Sequence, residues 1–324
     1  MMKAKYINDS PTEFWESSFY DLFVRANWKY TKSSQLYYEE YFKNQYTDKS
    51  YFIQKNNENL AVVFIHIDQT DSLSYFGMPV EFIINSNLDY NVENEISKLI
   101  IKELNEIIKK HKCKTISYYG NKYLNHIFFN SDNQIIAEYC AKVDLRLSEE
   151  AIFSNIRRSY KSLINWGKKK LTIQIVDQKN IGTLELEFNK FHNFHLTVSG
   201  RRTRSIETWE IQKSAIFTGE AFLILAYINC EIVSGIYVFK GFEEAYYAVG
   251  VNDRSLMEEN KPIAHHVMFE AISYAKKNGC FWFNLGFHIA NNSSNKESSI
   301  FNFKKGFTNQ IVINQIIKTN LNEG

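Results

Sequence analysis

Proline and glycine are scarce: 3 and 13 among 324 residues. That excludes a collagen-like rod and leaves no Pro-rich or Gly-rich stretch to serve as a long linker, so any two domains must follow one another closely. Cysteine is also sparse. Cys113, Cys140, Cys230 and Cys280 lie at least 27 residues apart with no C-x-x-C pair, which excludes a zinc ribbon and a dithiol redox motif and favours reduced thiols. No excess of one charge exists either, because 38 Lys and Arg against 36 Asp and Glu leave a net +2. A protein coated in positive charge for polyanion binding is thereby excluded, though a local patch is not. The longest apolar run, Ala221 to Ile228, falls far short of the roughly 20 residues of a membrane span, and the polar start Met1 to Pro11 lacks the apolar core of a signal peptide. The expectation is a cytoplasmic chain without a transmembrane segment, at most peripheral at the inner membrane face.

What remains is a folded composition, 44% hydrophobic and 23% charged. At about 150 residues per domain, the length suggests two domains or one large one. Residues 13 to 43 read as helical. Apolar runs at Tyr51 to Gln54, Leu60 to Ile67 and Val80 to Ile84 read as strands, the first two joined through the polar turn Asn56 to Asn59. An amphipathic helix over Glu93 to Lys110 leads into a strand over Cys113 to Gly120. The second half repeats the order: hairpin Ala221 to Asn229 and Glu231 to Lys240, strand Ala245 to Val251, helix Pro262 to Asn278, strand Cys280 to Gly286. Two copies of one α/β (α+β) unit follow, divided into residues 1–145 and 146–324. Each holds a mixed sheet, because hairpins are antiparallel while a helical crossover returns a parallel strand.

Charge is concentrated in one place. Between Ser154 and Arg204 eleven Lys or Arg face three acids, an excess of eight in a chain whose total is +2. A single helix over Glu149 to Lys169 would carry Ile152, Ile156, Tyr160 and Ile164 on one face and Arg157, Lys161 and Lys168 on another. An anionic partner or a merely solvated basic face would both explain this. His195 is followed by Arg201, Arg202 and Arg204, whose forked guanidiniums suit phosphate or carboxylate oxygens. His192 and His195 lack a third placed ligand, so no metal is expected. His265 and His266 open the helix after Pro262, where backbone N–H groups favour anions and a histidine stays neutral. Ser294-Asn-Lys-Glu297 has capping-box spacing, which starts a short helix ending in Lys304 and Lys305, either complements to the helix dipole or cations aimed at an oxyanion.

Together these segments resemble the Fem-type, GNAT-like transferases. The basic helix, the hairpin around Asn229-Cys230, the strand Tyr246 to Gly250, the helix Pro262 to Gly279 and the run Phe303-Lys-Lys-Gly-Phe307 follow that family's C-terminal order over about half the chain. The resemblance implies two tandem GNAT-like domains, the first degenerate, each a mostly antiparallel sheet flanked by helices. It implies an N-acyltransferase that moves an acyl or aminoacyl group from acyl-CoA or aminoacyl-tRNA onto an amine of a sugar or cell-envelope precursor, nucleotide- or lipid-linked. The Gln/Arg-x-x-Gly-x-Gly/Ala loop of ordinary GNAT enzymes is missing; the turn reads Asn260-Lys-Pro-Ile-Ala-His-His266. Lys304 follows the family's Phe-Lys-x-Gly-Phe pattern. His195 or Tyr247 is the candidate for proton transfer, and Arg201, Arg202, Arg204, Arg157, Lys161, His265 and His266 are candidates for substrate binding. The alternatives are a tRNA-dependent peptidoglycan aminoacyltransferase and a non-enzymatic nucleic-acid-binding module.

Overall fold

The computed structural model describes residues 2–121, 124, 125, 128, 133–289 and 294–321. Contacts divide the chain into two units that are not contiguous in sequence: Met1–Arg25, Phe42–Glu138 and Ile313–Gly324 in one, Ala26–Tyr41 and Tyr139–Val312 in the other.

Along the chain run β1 (Met2–Tyr6), α1 (Pro11–Trp15), α2 (Lys32–Tyr41), β2 (Tyr46–Asp48), β3 (Tyr51–Lys55), β4 (Glu58–Phe64), β5 (His66–Asp68), β6 (Ser72–Ser74), β7 (Glu81–Ile84), α3 (Tyr90–His111), β8 (Thr115–Tyr119) and β9 (Gln134–Asp144). There follow α4 (Glu149–Asn155), α5 (Arg158–Lys170), β10 (Thr172–Val176), α6 (Leu184–Ser199), α7 (Ile206–Phe217), β11 (Ala221–Ile228), β12 (Glu231–Lys240) and β13 (Glu244–Asn252). The last elements are α8 (Arg254–Glu258), α9 (Ile263–Lys277), β14 (Trp282–His288), α10 (Asn295–Lys304) and β15 (Gln310–Asn320).

In the first unit β1, β3, β4 and β7 form an antiparallel sheet. The β3–β4 hairpin turns on Asn56 and Asn57, both at positive φ (50° and 65°), a geometry asparagine tolerates and right-twisted hairpins prefer. Helix α3 is capped by Asp89, whose carboxylate accepts from two backbone N–H groups, and it buries Ile96, Ile100, Leu104 and Ile107 along one stripe. Each such side chain withdrawn from water contributes about 1.5–3 kcal/mol. The chain then enters β8, parallel to β6.

In the second unit β10 to β13 pair antiparallel in order, β14 adds parallel to β13, and residues 139–144 of β9 pair antiparallel with β14. The apolar run of β11 is continuous because both faces are covered. Phe222, Ile224 and Ala226 enter a core with α5 and α9, while Ala221, Leu223 and Leu225 enter another with α6 and α7. Its hairpin repeats the turn of the first unit, with Asn229 and Cys230 at φ 50° and 66°. The expected order of three strands, helix and parallel strand is present in the second unit; in the first, β5 and β6 intervene between β4 and β7, and β8 pairs parallel with β6, outside the antiparallel sheet of β1, β3, β4 and β7. Cys113 and Cys280 are buried just ahead of β8 and β14.

Two expectations fail. The single helix over 149–169 is two, α4 and α5, broken at Ile156 (ψ 141°) and Arg157 (ψ 131°). Ile156 is 2% exposed, and the Arg157 N–H donates to the Gly306 carbonyl at 2.8 Å, so a tertiary hydrogen bond replaces the helical one. The helical stretch 13–43 is likewise broken into α1, a π turn, a 3-10 turn and α2, because the chain passes from one unit to the other between Arg25 and Ala26 and no one helix face serves two cores.

Candidate active site

The parallel pairing of β13 with β14 lasts only from Glu244↔Trp282 to Tyr246↔Asn284. Beyond it β13 continues to Asn252 and β14 to His288 without pairing to each other, so the strands part toward their carboxyl ends, where α/β sheets take ligands. Asn284 stands at the fork. Its Oδ1 accepts the Gly286 N–H at 2.8 Å and the Cys140 thiol at 3.3 Å, and its Nδ2 donates to Glu244, which Lys142 pairs at 2.6 Å. These bonds hold Gly286 at φ +103°, a backbone conformation open to glycine and strained for other residues.

Lys304 enters this fork from the last turn of α10. The expected capping box is formed, Ser294 and Glu297 each accepting from the other's backbone N–H, and this fixes where the helix starts. The Lys304 ammonium lies 4.6 Å from the Tyr247 ring centroid, and a methyl group on Gly286 would stand 2.8 Å from its Nζ. Nζ makes no hydrogen bond or ion pair among the described residues. Desolvation lowers the Lys304 pKa from 10.5 to about 8 and raises that of Tyr247 to about 12. Tyr247 packs its hydroxyl directly over Gly250. The pair thus offers a cation with no partner to neutralise it beside a protonated phenol, which suits stabilising charge that appears on an oxygen and supplying a proton.

The other predicted residues fall into two groups. On the Lys304 face, Arg157 donates to Tyr160 Oη and to the Asn302 carbonyl, each at 3.3 Å, and Lys161 donates to the Ser154 carbonyl at 2.9 Å. Their hydrogen-bond partners are uncharged, and no carboxylate pairs with either among the described residues. His265 packs among Tyr160, Phe303 and Phe307, with ring centroids 4.5, 5.3 and 6.1 Å away. His266 presses on Gly167 and lies 3.6 Å from Glu270. Burial lowers both histidines to a pKa of about 4, so they are neutral parts of the packing at the first turn of α9. On the opposite face, His195 and Arg204 both contact the Trp209 ring, at 5.1 and 4.7 Å, while Arg201 and Arg202 are exposed. Burial and the Arg204 charge hold His195 near a pKa of 4. The structure therefore brings Lys304 and Tyr247 together and sets His195 and the arginines across the sheet from them. Sequence reasoning missed Gly286 and Asn284; their one signal was an Asn-x-Gly at the end of a strand that follows a crossover helix.

Among the described residues no group of three or more His, Cys, Asp or Glu is placed to hold a metal, and no helix is long and apolar enough to cross a membrane. Neither a protein-family model nor a curated protein matches the sequence. Solved structures do match. FemX superposes with a TM-score of 0.65 at 11% identity over 97% of this chain and 96% of its own. A conserved protein of unknown function from Bacteroides thetaiotaomicron gives 0.58 at 12% identity over 99% and 100%, and L-PGS from Bacillus licheniformis gives 0.54 at 11% over 82% of each chain. The chain shares the fold of FemX over nearly its whole length.

Proposed function

We propose that this protein is an N-acyltransferase that moves an acyl group from acyl-CoA, or an aminoacyl group from aminoacyl-tRNA, directly onto an amine of a sugar or cell-envelope precursor. The observation that carries the reading is the Lys304 ammonium, desolvated and without a counter-ion, inside the fork between β13 and β14. In the reaction the amine nitrogen attacks the thioester or ester carbonyl carbon and the carbonyl oxygen becomes an oxyanion facing Lys304. On collapse the thiolate or ribose oxygen departs and takes up a proton, and the attacking nitrogen loses one. Tyr247, held protonated, donates the first, and its phenolate takes up the second and is restored; His195 is the alternative proton carrier, reached only from the opposite face of the sheet. Direct transfer needs no enzyme nucleophile, and of the thiols Cys113 and Cys280 are buried with pKa values raised to about 11, the reverse of an activated cysteine. Arg157 and Lys161 steer an anionic donor, with His265 and His266 shaping the start of α9 beside it. Arg201, Arg202 and Arg204 hold an anionic group of the acceptor. The reading includes a duplication into domains 1–145 and 146–324, supported by the matching Asn-initiated hairpin turns and by a helix that leads through a buried cysteine into a strand in each half. The test is mass spectrometry of amino sugars and cell-envelope precursor amines incubated with acetyl-CoA or with charged tRNA. The reading expects one amine to gain the acyl mass, and absence of any acylated amine across both donors rejects it.

A further inference from the structure

The second unit contains a cavity of about 190 Å³ on the face of β13 opposite Lys304, walled by Tyr37, Tyr38, Tyr41 and Tyr246 and reaching Gln212 and Ala248. We propose that this cavity is a binding site for a small aromatic carboxylate, its ring between the tyrosines and its carboxylate on the Gln212 amide beside Arg204. A cavity of about 150 Å³ accommodates benzene, so this one has room for a ring with one short substituent and not for a drug-sized molecule.

Aromatic contacts brace the walls. Tyr37 stacks on Tyr41 at 5.7 Å and 19°, and Tyr246 is pinned against Trp28 at 3.8 Å and 7°. Aromatic walls that do not rearrange favour a flat ligand in offset or edge contact, with little ordering cost on binding. The polar end is unfinished. Gln212 is 0% exposed; its Oε1 accepts from Arg204 at 3.3 Å, while its Nε2 has no partner. Arg204 also donates to Tyr37 Oη at 3.1 Å, yet its buried Nε has no acceptor and no carboxylate pairs with it among the described residues. A buried amide donor without an acceptor is destabilising, and a half-buried guanidinium without a counter-ion adds to that. An acceptor oxygen carrying negative charge answers the Gln212 amide, with the Arg204 charge one hydrogen bond behind it. The arginine's charge selects a carboxylate over a neutral carbonyl, because a charge-assisted hydrogen bond is roughly twice as strong as a neutral one. The proposal rests on the cavity and its donors and holds whether or not the chain transfers acyl groups.

The experiment is calorimetric titration of the full chain with benzoate, phenylacetate and 3-phenylpropionate, beside phenylacetamide, butyrate and inorganic phosphate. At least one ring carboxylate should bind about tenfold or more tighter than the amide, butyrate and phosphate, tenfold being 1.4 kcal/mol. Arg204→Gln should weaken it about tenfold, and Ala248→Leu, which fills the cavity and leaves every charge in place, should abolish it. Thermal unfolding establishes that each variant is folded; should one not fold, Gln212→Met, which removes the amide donor at similar volume, takes its place with the same expected loss. Failure of all three ring carboxylates to bind, equal binding of the amide or of phosphate, or binding untouched by Ala248→Leu overturns the proposal.

Discussion

Replacing Lys304 with methionine should move stability and activity in opposite directions. The side chain keeps its length and its contact with the Tyr247 ring but loses its charge. Desolvation lowers the Lys304 pKa from 10.5 to about 8. Between those values the unfolded chain holds the proton and the native one has released it, so native stability rises as pH climbs from about 8 to 10.5. Below about 8 the native state carries the whole cost of a desolvated ammonium, on the order of 3 kcal/mol. Lys304→Met should remove that cost, raising the urea midpoint at pH 7 and flattening its rise above pH 8. If the ammonium faces the oxyanion of the transition state, kcat for acyl transfer should fall about 100-fold or more, since one preorganised donor is worth roughly 2.7–4 kcal/mol of barrier. Lys305 is the control. It is exposed, and adjacent helical residues point about 100° apart, so Lys305→Met should leave kcat unchanged and cost at most about 1 kcal/mol. A Lys304→Met protein that is less stable than wild type and transfers within twofold of it would return Lys304 to a helix-end role and refute the assignment.

Gly286→Ala should cost about 1–3 kcal/mol from the φ of +103° and push the Lys304 ammonium, 2.8 Å from the new methyl, out of line. Displacement of about 1 Å lowers turnover up to 100-fold, and unchanged turnover would contradict the position of Nζ. Charge reversal at Arg157 and Lys161 should raise KM for an anionic donor more than it lowers kcat, with the difference shrinking at high salt; a KM that stays put makes this a solvated basic surface. Burial holds His66, His195, His265 and His266 at pKa values of about 4 against an ordinary 6.5. Their unfolded forms therefore bind protons first, and stability should fall steadily as pH drops from 6.5 toward 4. Urea midpoints that stay constant over that interval would show that these rings are not buried as described.

The strand–helix–strand order of both units was legible because alternation, turn residues and one long amphipathic helix are local signals. Helix α3 starts three residues ahead of expectation and ends one past it, and the hairpin at Asn229-Cys230 lies within one residue of it. The break at Ile156–Arg157 was not legible, since the cause is a hydrogen bond to Gly306 nearly 150 residues away. The same holds for the candidate site. Lys304 was found from a short run of neighbours, and its capping box from spacing. The fork that gives it a role depends on where two parallel strands stop pairing, which no local pattern reports. Tyr37, Tyr38 and Tyr41 looked like ordinary helical aromatics, and only the three-dimensional grouping of Ala26–Tyr41 with the second unit makes them walls of a cavity. His195 and the arginines illustrate the converse: close in sequence and chemically suggestive, they lie across a sheet from Lys304.

The central claim is direct acyl transfer through the Lys304 fork, and an isotopically labelled acyl group followed by mass on both small molecules and intact protein tests it. With labelled acetyl-CoA or labelled aminoacyl-tRNA and a pool of precursor amines, the account predicts label on an amine, no labelled protein at any time point, and loss of the amine product in Lys304→Met. Label that reaches no amine from either donor, or that passes first through a covalent protein adduct, would contradict it.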